Sequence, residues 1–266
     1  MATLKALSEL GRIGMLNSQA QMAVTGKNIA NVNTEGYSRQ RLDITPQLPF
    51  VLAGYAGASA LSTESHRQIR DEFTDQQFRS QNSLYHLYDT TDSILTQLEG
   101  ILPADNESGL RSMLDEFWMA WDSLSNDPES NVAREIVFNT ADTLATTYRR
   151  LHREVVNLQT GVSNEIEATV TKINNVAAEI AALNEADPGD NLDITDQRNR
   201  LIDELSKLTN IEVANEGPNI SVSVSGLMIV AGIDTFEMSI AQTSDSQGVG
   251  SISINIGDKN VKTINI

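Results

Sequence analysis

The 266-residue chain contains no cysteine. That excludes a structural disulfide, a thiolate-bound zinc and a thiol nucleophile together. Aromatic residues are scarce at 5%, and the hydrophobic 40% is largely Ala, Val, Ile and Leu. Such a composition suits long helices that meet along narrow seams better than a compact enzyme core. Cations are also few. Nineteen Lys and Arg face 36 Asp and Glu, for a net charge of −17. A general nucleic-acid binder is excluded, because phosphate attraction needs a basic surface. No stretch approaches the ~18 apolar residues of a membrane span, so no membrane insertion is expected. The start, MATLKALSELGRIGMLNSQAQ, is interrupted by Ser8, Glu9, Gly11 and Arg12. It lacks the unbroken apolar core of a secretory leader, so any export is expected to proceed without a cleaved signal peptide.

Catalytic and ligand-binding patterns are missing too. His66, His86 and His152 lie in three different elements, none with a second ligand at metal spacing. The TGKN at 25–28 lacks the earlier glycine and the hydroxyl of a phosphate loop, since Gln21 and Asn28 stand there. DPGDNLDITD is acidic, but Gly189 is misplaced for a calcium loop, and Asp193 reads better as a helix cap. Trp118 and Trp121 are one helical turn apart and read as a bundle-seam pair. No nucleophile accompanies a base. The chain reads as a non-enzyme with no cofactor and no metal.

What is present is helical periodicity. Residues 3–30 read as a helix with a weak stripe (Ala6, Leu10, Ile13, Ala20, Val24), lowered by Gly11 and Gly14. Alone it would be marginal in water. Residues 31–66 break from helix into an extended connector with short strands. Pro46 and Pro49 bar helix there, and AGYAGASA (53–60) is small and flexible. Residues 67–102 read as a long helix with a seam at Leu84, Leu87, Thr91, Ile94, Leu98 and Ile101, ended by Pro103. A second helix spans 109–125, through Leu110, Leu114, Phe117, Trp121 and Leu124. After it, Asp127 and Pro128 read as cap and first helical residue. Residues 129–185 hold the strongest seam: Leu144, Tyr148, Leu151, Val155, Leu158 and Val162, then Ile173, Ile180 and Leu183 after a shift at Ile166. A helix of that length spans roughly 80 Å. ADPGDN (186–191) closes it, and a short helix at 193–208 follows. From Ile211 the period switches to two, with glycine turns between strand-like runs. The chain stops inside such a pattern, at VKTINI, as a fragment would.

The expected fold class is therefore mainly α with a smaller β part: an elongated bundle of long coiled-coil-like helices. Three divisions follow. Residues 1–66 are an N-terminal assembly helix and extended connector, 67–210 a rod-like helical bundle, and 211–266 an incomplete β-rich segment. Charge is uneven across them. Lys5, Arg12, Lys27, Arg39 and Arg41 against Glu9 and Glu35 give residues 1–41 a net +3, which leaves −20 for the remainder.

The stretch KNIANVNTEGYSRQR (27–41) ends the first helix with three asparagines, a glycine, and an expected exposed cluster of Tyr37, Arg39, Gln40 and Arg41. It resembles the N-terminal signature of the flagellar rod, hook and hook-associated axial proteins, close to NNIANxNTxGYxRQ. Asn28, Ile29, Ala30, Asn31, Asn33, Thr34, Gly36, Tyr37, Arg39 and Gln40 match, and Lys27 departs from the usual asparagine. The Tyr-Ser-Arg-Gln form is similar to hook-associated members rather than to rod or hook subunits. Two further stretches agree, through Asp71, Phe73, Gln77 and Arg79, and through Asp196, Gln197, Arg198, Leu201 and Leu205, with Asn199 in place of the usual aspartate.

The resemblance implies a structural adaptor joining hook to filament in the extracellular flagellum. It implies that the N-terminal helix orders on assembly into the axial tube, after export by the flagellar type III system. The implied partners are further copies of the chain in a ring, the hook protein, the next hook-associated protein, the export apparatus, and a chaperone whose site lies in the C-terminal part missing here. The alternatives are a rod or hook subunit or, from another class, a secreted helical coiled-coil binding module.

Overall fold

A computed structural model of the chain describes residues 2–46, 51–52, 55–56, 61–102, 109–186, 191–216, 219–244, 250–257 and 259–265. Pro49, most of the 53–60 stretch, the turn at 103–108 with Pro103, and residues 187–190 lie outside them. Five helices dominate: α1 (Ala2–Ala30), α2 (Glu72–Ile101), α3 (Leu110–Asn126), α4 (Asn131–Ala186) and α5 (Leu192–Leu208). The described strands are β1 (Gln40–Pro46), β2 (Val51–Leu52), β3 (Tyr55–Ala56), β4 (Leu61–Gln68), β5 (Ile211–Glu216), β6 (Asn219–Val224), β7 (Leu227–Ala231), β8 (Asp234–Thr235), β9 (Met238–Ser244), β10 (Gly250–Ile256) and β11 (Lys259–Asn265). The chain is mainly α with a smaller β part, as its periodicities indicate.

Three helix starts differ from the sequence reading. The helix read from 67 begins at Glu72, because residues through Gln68 pair with β1 as an antiparallel ribbon. Asp71 Oδ1 accepts from the Phe73 N–H and caps α2. Asp127 belongs to the end of α3, where its N–H reaches Ser123 O. Ser130 caps α4 instead, through Oγ accepting from Ala133 N–H. At α5 the cap is Asn191, whose side chain accepts from Asp193 N–H. Asp193 sits in the first turn, where a carboxylate complements the helix dipole.

Two compact units divide the chain. The first comprises Met1–Asn82 and Asn175–Phe236. Its buried apolar side chains come from α1 (Val24), from the end of α4 (Val176, Ala177, Ile180, Ala181), from α5 (Ile202, Leu205) and from β6 and β7 (Ile220, Val222, Val224, Ile229, Val230). Each full burial of a Val, Leu or Ile side chain contributes about 1.5–3 kcal/mol. The four-stranded antiparallel sheet runs β5-β6-β7-β8. Its central hairpin turns through Ser225 (φ 52°) and Gly226 (φ 78°), the positive pair that matches strand twist in a two-residue loop. Asn184 joins helix to sheet. Its Nδ2 donates to Ile220 O (2.9 Å) and Gly232 O (2.7 Å), while Arg198 Nη1 donates to its Oδ1 (3.0 Å).

The second unit comprises Ser83–Asn174 and Glu237–Ile266. It holds the rest of α2, α3, most of α4 and the sheet β11-β10-β9. Asn174 clamps β9 by donating to Met238 O (2.9 Å) and accepting from Met238 N–H (2.8 Å). Burial here is sparse. Leu151 and Ile173 of the α4 seam are buried, as is Val170, but Leu84 and Leu87 of α2 and Tyr148 of α4 are exposed. The tryptophan pair is exposed as well, at 63% for Trp118 and 47% for Trp121, rather than closed in a seam within this chain.

Candidate functional site

The three stretches that carry the family resemblance meet within the first unit, around α5. The last turn of α1 supplies the first part. Asn31 N–H reaches Lys27 O, and Asn31 Nδ2 donates to the same carbonyl at 3.0 Å. The helix end is thus closed by its own asparagine. Successive turns follow, Thr34 N–H to Asn31 O and Tyr37 N–H to Thr34 O. Gly36 holds φ +78°, and a Cβ there would lie 3.2 Å from Arg200 Cβ on α5. Glycine is required twice over, by conformation and by the closeness of α5.

Asn28 then clasps the returning chain. Its Nδ2 donates to Gln40 O (2.8 Å), and its Oδ1 accepts from Gln40 N–H (2.9 Å) and from the Tyr37 hydroxyl (2.9 Å). One amide side chain thereby closes a twelve-residue loop. The outcome corrects the exposed reading of this cluster: Gln40 is 3% exposed and Tyr37 half-buried. Arg39 and Arg41 are exposed as expected. Of the other signature residues, Ile29, Ala30, Asn33 and Thr34 lie on the surface, Thr34 with its hydroxyl on Asn31 Oδ1.

The closed turn is fixed to α5 by polar contacts. Ser38 N–H donates to Asp196 Oδ1 (3.2 Å), and Lys27 Nζ reaches Asp193 Oδ1 at 2.6 Å. That ion pair is half exposed, so it is worth at most about 1 kcal/mol. Gln68, at the end of β4, donates to Leu192 O (2.7 Å). Arg70 bonds Asp75, Ser38 Oγ (3.3 Å) and Asp203 Oδ2 (3.4 Å). Arg79 of the second stretch is buried, with Nε on Asp203 Oδ1 (2.7 Å) and Nη2 on Asn199 Oδ1 (3.1 Å). Asn82 Nδ2 donates to Ser206 Oγ (2.9 Å).

Asp196, Asn199, Asp203 and Ser206 fall at steps of three and four along α5. They form one polar stripe beside the buried Ile202 and Leu205. Spacing of three and four, read for Asp, Asn and Ser rather than for apolar residues, marks this stripe in the sequence. Of the third stretch, Arg198 and Leu205 are buried and Gln197 is exposed. Of the second, Phe73 is exposed.

Burial raises the Asp196 carboxyl above its ordinary range, against the hydrogen bonds from Ser38 and the nearby Arg70 charge. Its Oδ2 is buried without a hydrogen-bond partner among the described residues. Burial also raises Tyr37, opposed by Lys27. The site is therefore a holding arrangement, in which donors and acceptors close on one another across α1, the ribbon, α2 and α5. Among the described residues no three His, Asp or Glu cluster as metal ligands, and no helix is long and apolar enough to cross a membrane.

Comparison with known proteins gives consistent matches. The family model described as the flagellar hook-associated protein FlgK helical domain matches residues 95–266. A flagella basal body rod protein model matches residues 11–37. Flagellar hook-associated protein 1 of Bacillus subtilis is 32% identical over 255 residues, covering 90% of this chain and 50% of that protein. Its namesake in Salmonella typhimurium is 25% identical over 244 residues, covering 87% of this chain and 43% of the relative. The chain thus spans about half the length of the curated relatives it matches. Among solved structures, the hook junction protein FlgK of Burkholderia pseudomallei aligns with a TM-score of 0.60 at 20% identity. That alignment covers 72% of this chain and 36% of the other, and supports the fold.

Proposed function

The chain belongs to the family of the flagellar hook-associated protein FlgK, and on that premise we propose that it serves as a structural adaptor joining hook to filament in the bacterial flagellum. The observation that carries the reading is the convergence on α5. Residues 27–40, 70–82 and 193–206 are far apart in sequence, carry the family's motifs, and hold one another by hydrogen bonds. A rod or hook subunit would account for the first stretch alone.

On this reading the signature, from Asn28 to Gln40, is the assembly motif. Asn28, Asn31, Gly36, Tyr37 and Gln40 shape the turn, and Arg39 meets a neighbouring subunit. Residues 1–66 assemble, 67–210 form the helical body, and 211–266 begin a β-rich segment. The protein leaves the cell through the flagellar export apparatus without a cleaved leader and works outside it. There it forms a ring of copies between the hook protein and the next hook-associated protein. Chaperone contact falls to the part of the relatives' length that this chain does not span.

The test is a deletion of residues 2–26 in the full-length protein, which spares Lys27 and the clasp. The helical body should keep its circular dichroism, and the exported protein should fail to appear in assembled junctions. Normal junctions built from the exported deletion protein would overturn the adaptor reading.

A further inference from the structure

We propose that the outer face of the β1–β4 ribbon docks electrostatically on the acidic face of α2 in a second copy of this chain. The inference rests on the adaptor reading and adds to it a surface and its counterpart. In the ribbon Arg41 stands directly opposite Arg67, and Arg39 lies two residues before Arg41, its carbonyl bound by Ile69 N–H. Side chains alternate along a strand, so Arg39, Arg41 and Arg67 share one face. The opposite face carries Gln40 and Gln68, whose side chains donate to Asp193 Oδ1 (3.4 Å) and Leu192 O (2.7 Å).

Like charges directly opposite one another destabilise a strand pair. Arg41 is relieved by Asp43, whereas Arg39 and Arg67 make no ion pair among the described residues. All three arginines are exposed. A chain of net charge −17 therefore gathers three cations on one small face without neutralising two of them.

The complement lies on the same chain. From residue 80 to 110 there is no Lys or Arg, while Asp89, Asp92 and Glu99 are exposed on α2. Steps of three and seven residues place them on one side of the helix. None of them makes an ion pair among the described residues. Two unneutralised surfaces of opposite sign on one chain fit a heterologous contact, in which each copy offers its ribbon to the next copy's α2. Such a contact sets register and encounter rate, and it weakens as salt shortens the ~10 Å screening length of 0.1 M solutions.

The experiment is charge reversal in the full-length protein, scored by the amount of this protein retained in isolated hook–junction particles. Arg39→Glu, Arg41→Glu and Arg67→Glu together should lower retention at least tenfold, and replacement of the same three by Lys should not. Asp89→Lys, Asp92→Lys and Glu99→Lys together should lower it equally. Combining both sets in one chain should restore retention to within threefold of the parent. A second measurement covers the case in which a reversed variant misfolds. The chain has no cysteine, so Arg67→Cys with Asp92→Cys should give an oxidised disulfide between copies. Only an intrachain disulfide, or none, would overturn the proposal. Normal retention of the triple Arg→Glu variant, beside loss of junctions in the 2–26 deletion, would overturn this docking surface and leave the adaptor role standing. Normal retention of both would remove the two together.

Discussion

Asn28→Ala is the sharpest test of the clasp. Three hydrogen bonds are lost, two to the main chain of Gln40 and one from the Tyr37 hydroxyl. Each contributes about 0.5–1.5 kcal/mol net, and a buried main-chain group left unpaired adds to the loss. Gln40 is buried, but Asn28 is only partly so, and water will repair some of the deficit. The expected loss is about 2–3 kcal/mol of local stability. It should fall on the turn and the start of β1, since the contacts of Arg79 and Asn82 with α5 are untouched. Amide exchange reads such local opening directly. At 1.4 kcal/mol per decade, the amides of residues 37–43 should exchange roughly 30- to 150-fold faster, while those of α5 stay within a fewfold. Unchanged exchange at residues 37–43 would refute the clasp. Equal acceleration across α5 would show that the turn and the helix open as one cooperative unit.

Three further outcomes follow from the same geometry. Gly36→Ala and Gly226→Ala both force a positive φ, at about 1–2 kcal/mol each, but only Gly36 has a neighbour, Arg200, in the way; urea midpoints should place Gly36→Ala as the more damaging of the two. Asp203→Asn leaves the buried Arg79 without its counter-charge, while Arg70 keeps Asp75, so it should cost about 1.5–3 kcal/mol in equilibrium unfolding. Asp196 has a folded pKa raised above its ordinary 3.8, so its contribution is most favourable below that value and is lost as pH rises through the raised one. Asp196→Asn, which keeps an acceptor for Ser38, should therefore match or exceed the parent in stability at pH 7, with the difference vanishing below pH 3.8; a variant less stable at pH 7 would show that the ionised carboxylate is needed.

The long helices were legible because apolar spacing repeats over many turns, and no proline or glycine pair interrupts α4. The β-rich end was legible because the period changes at Ile211. Helix starts were less so. Several Asp, Asn and Ser residues compete near each start, and Ser130 and Asn191 prevail over Asp127 and Asp193 through geometry that composition does not encode. The signature stood out in sequence, but its partner did not. Asn28 and Gln40 are close enough in the chain to read as one motif, whereas Asp196, Asn199 and Asp203 are polar residues on a helix that, read alone, count as its solvent face. Only the fold turns that face inward. The exposure of Trp118 and Trp121 was hidden for the converse reason, since an apolar pair at helical spacing looks the same whether or not its partner is in the chain.

The contacts between the turn and α5 also fix an order of events. Ser38 is 158 residues from Asp196, and Lys27 is 166 from Asp193. A chain that emerges N-terminus first shows its signature to the surroundings long before the α5 residues that anchor it exist. The entropic toll of so wide a loop grows slowly, about 0.6 kcal/mol per doubling, but it must be met before any contact rewards it. The motif is consequently anchored long after it is made. Its anchoring reports that the chain has been completed at least as far as α5.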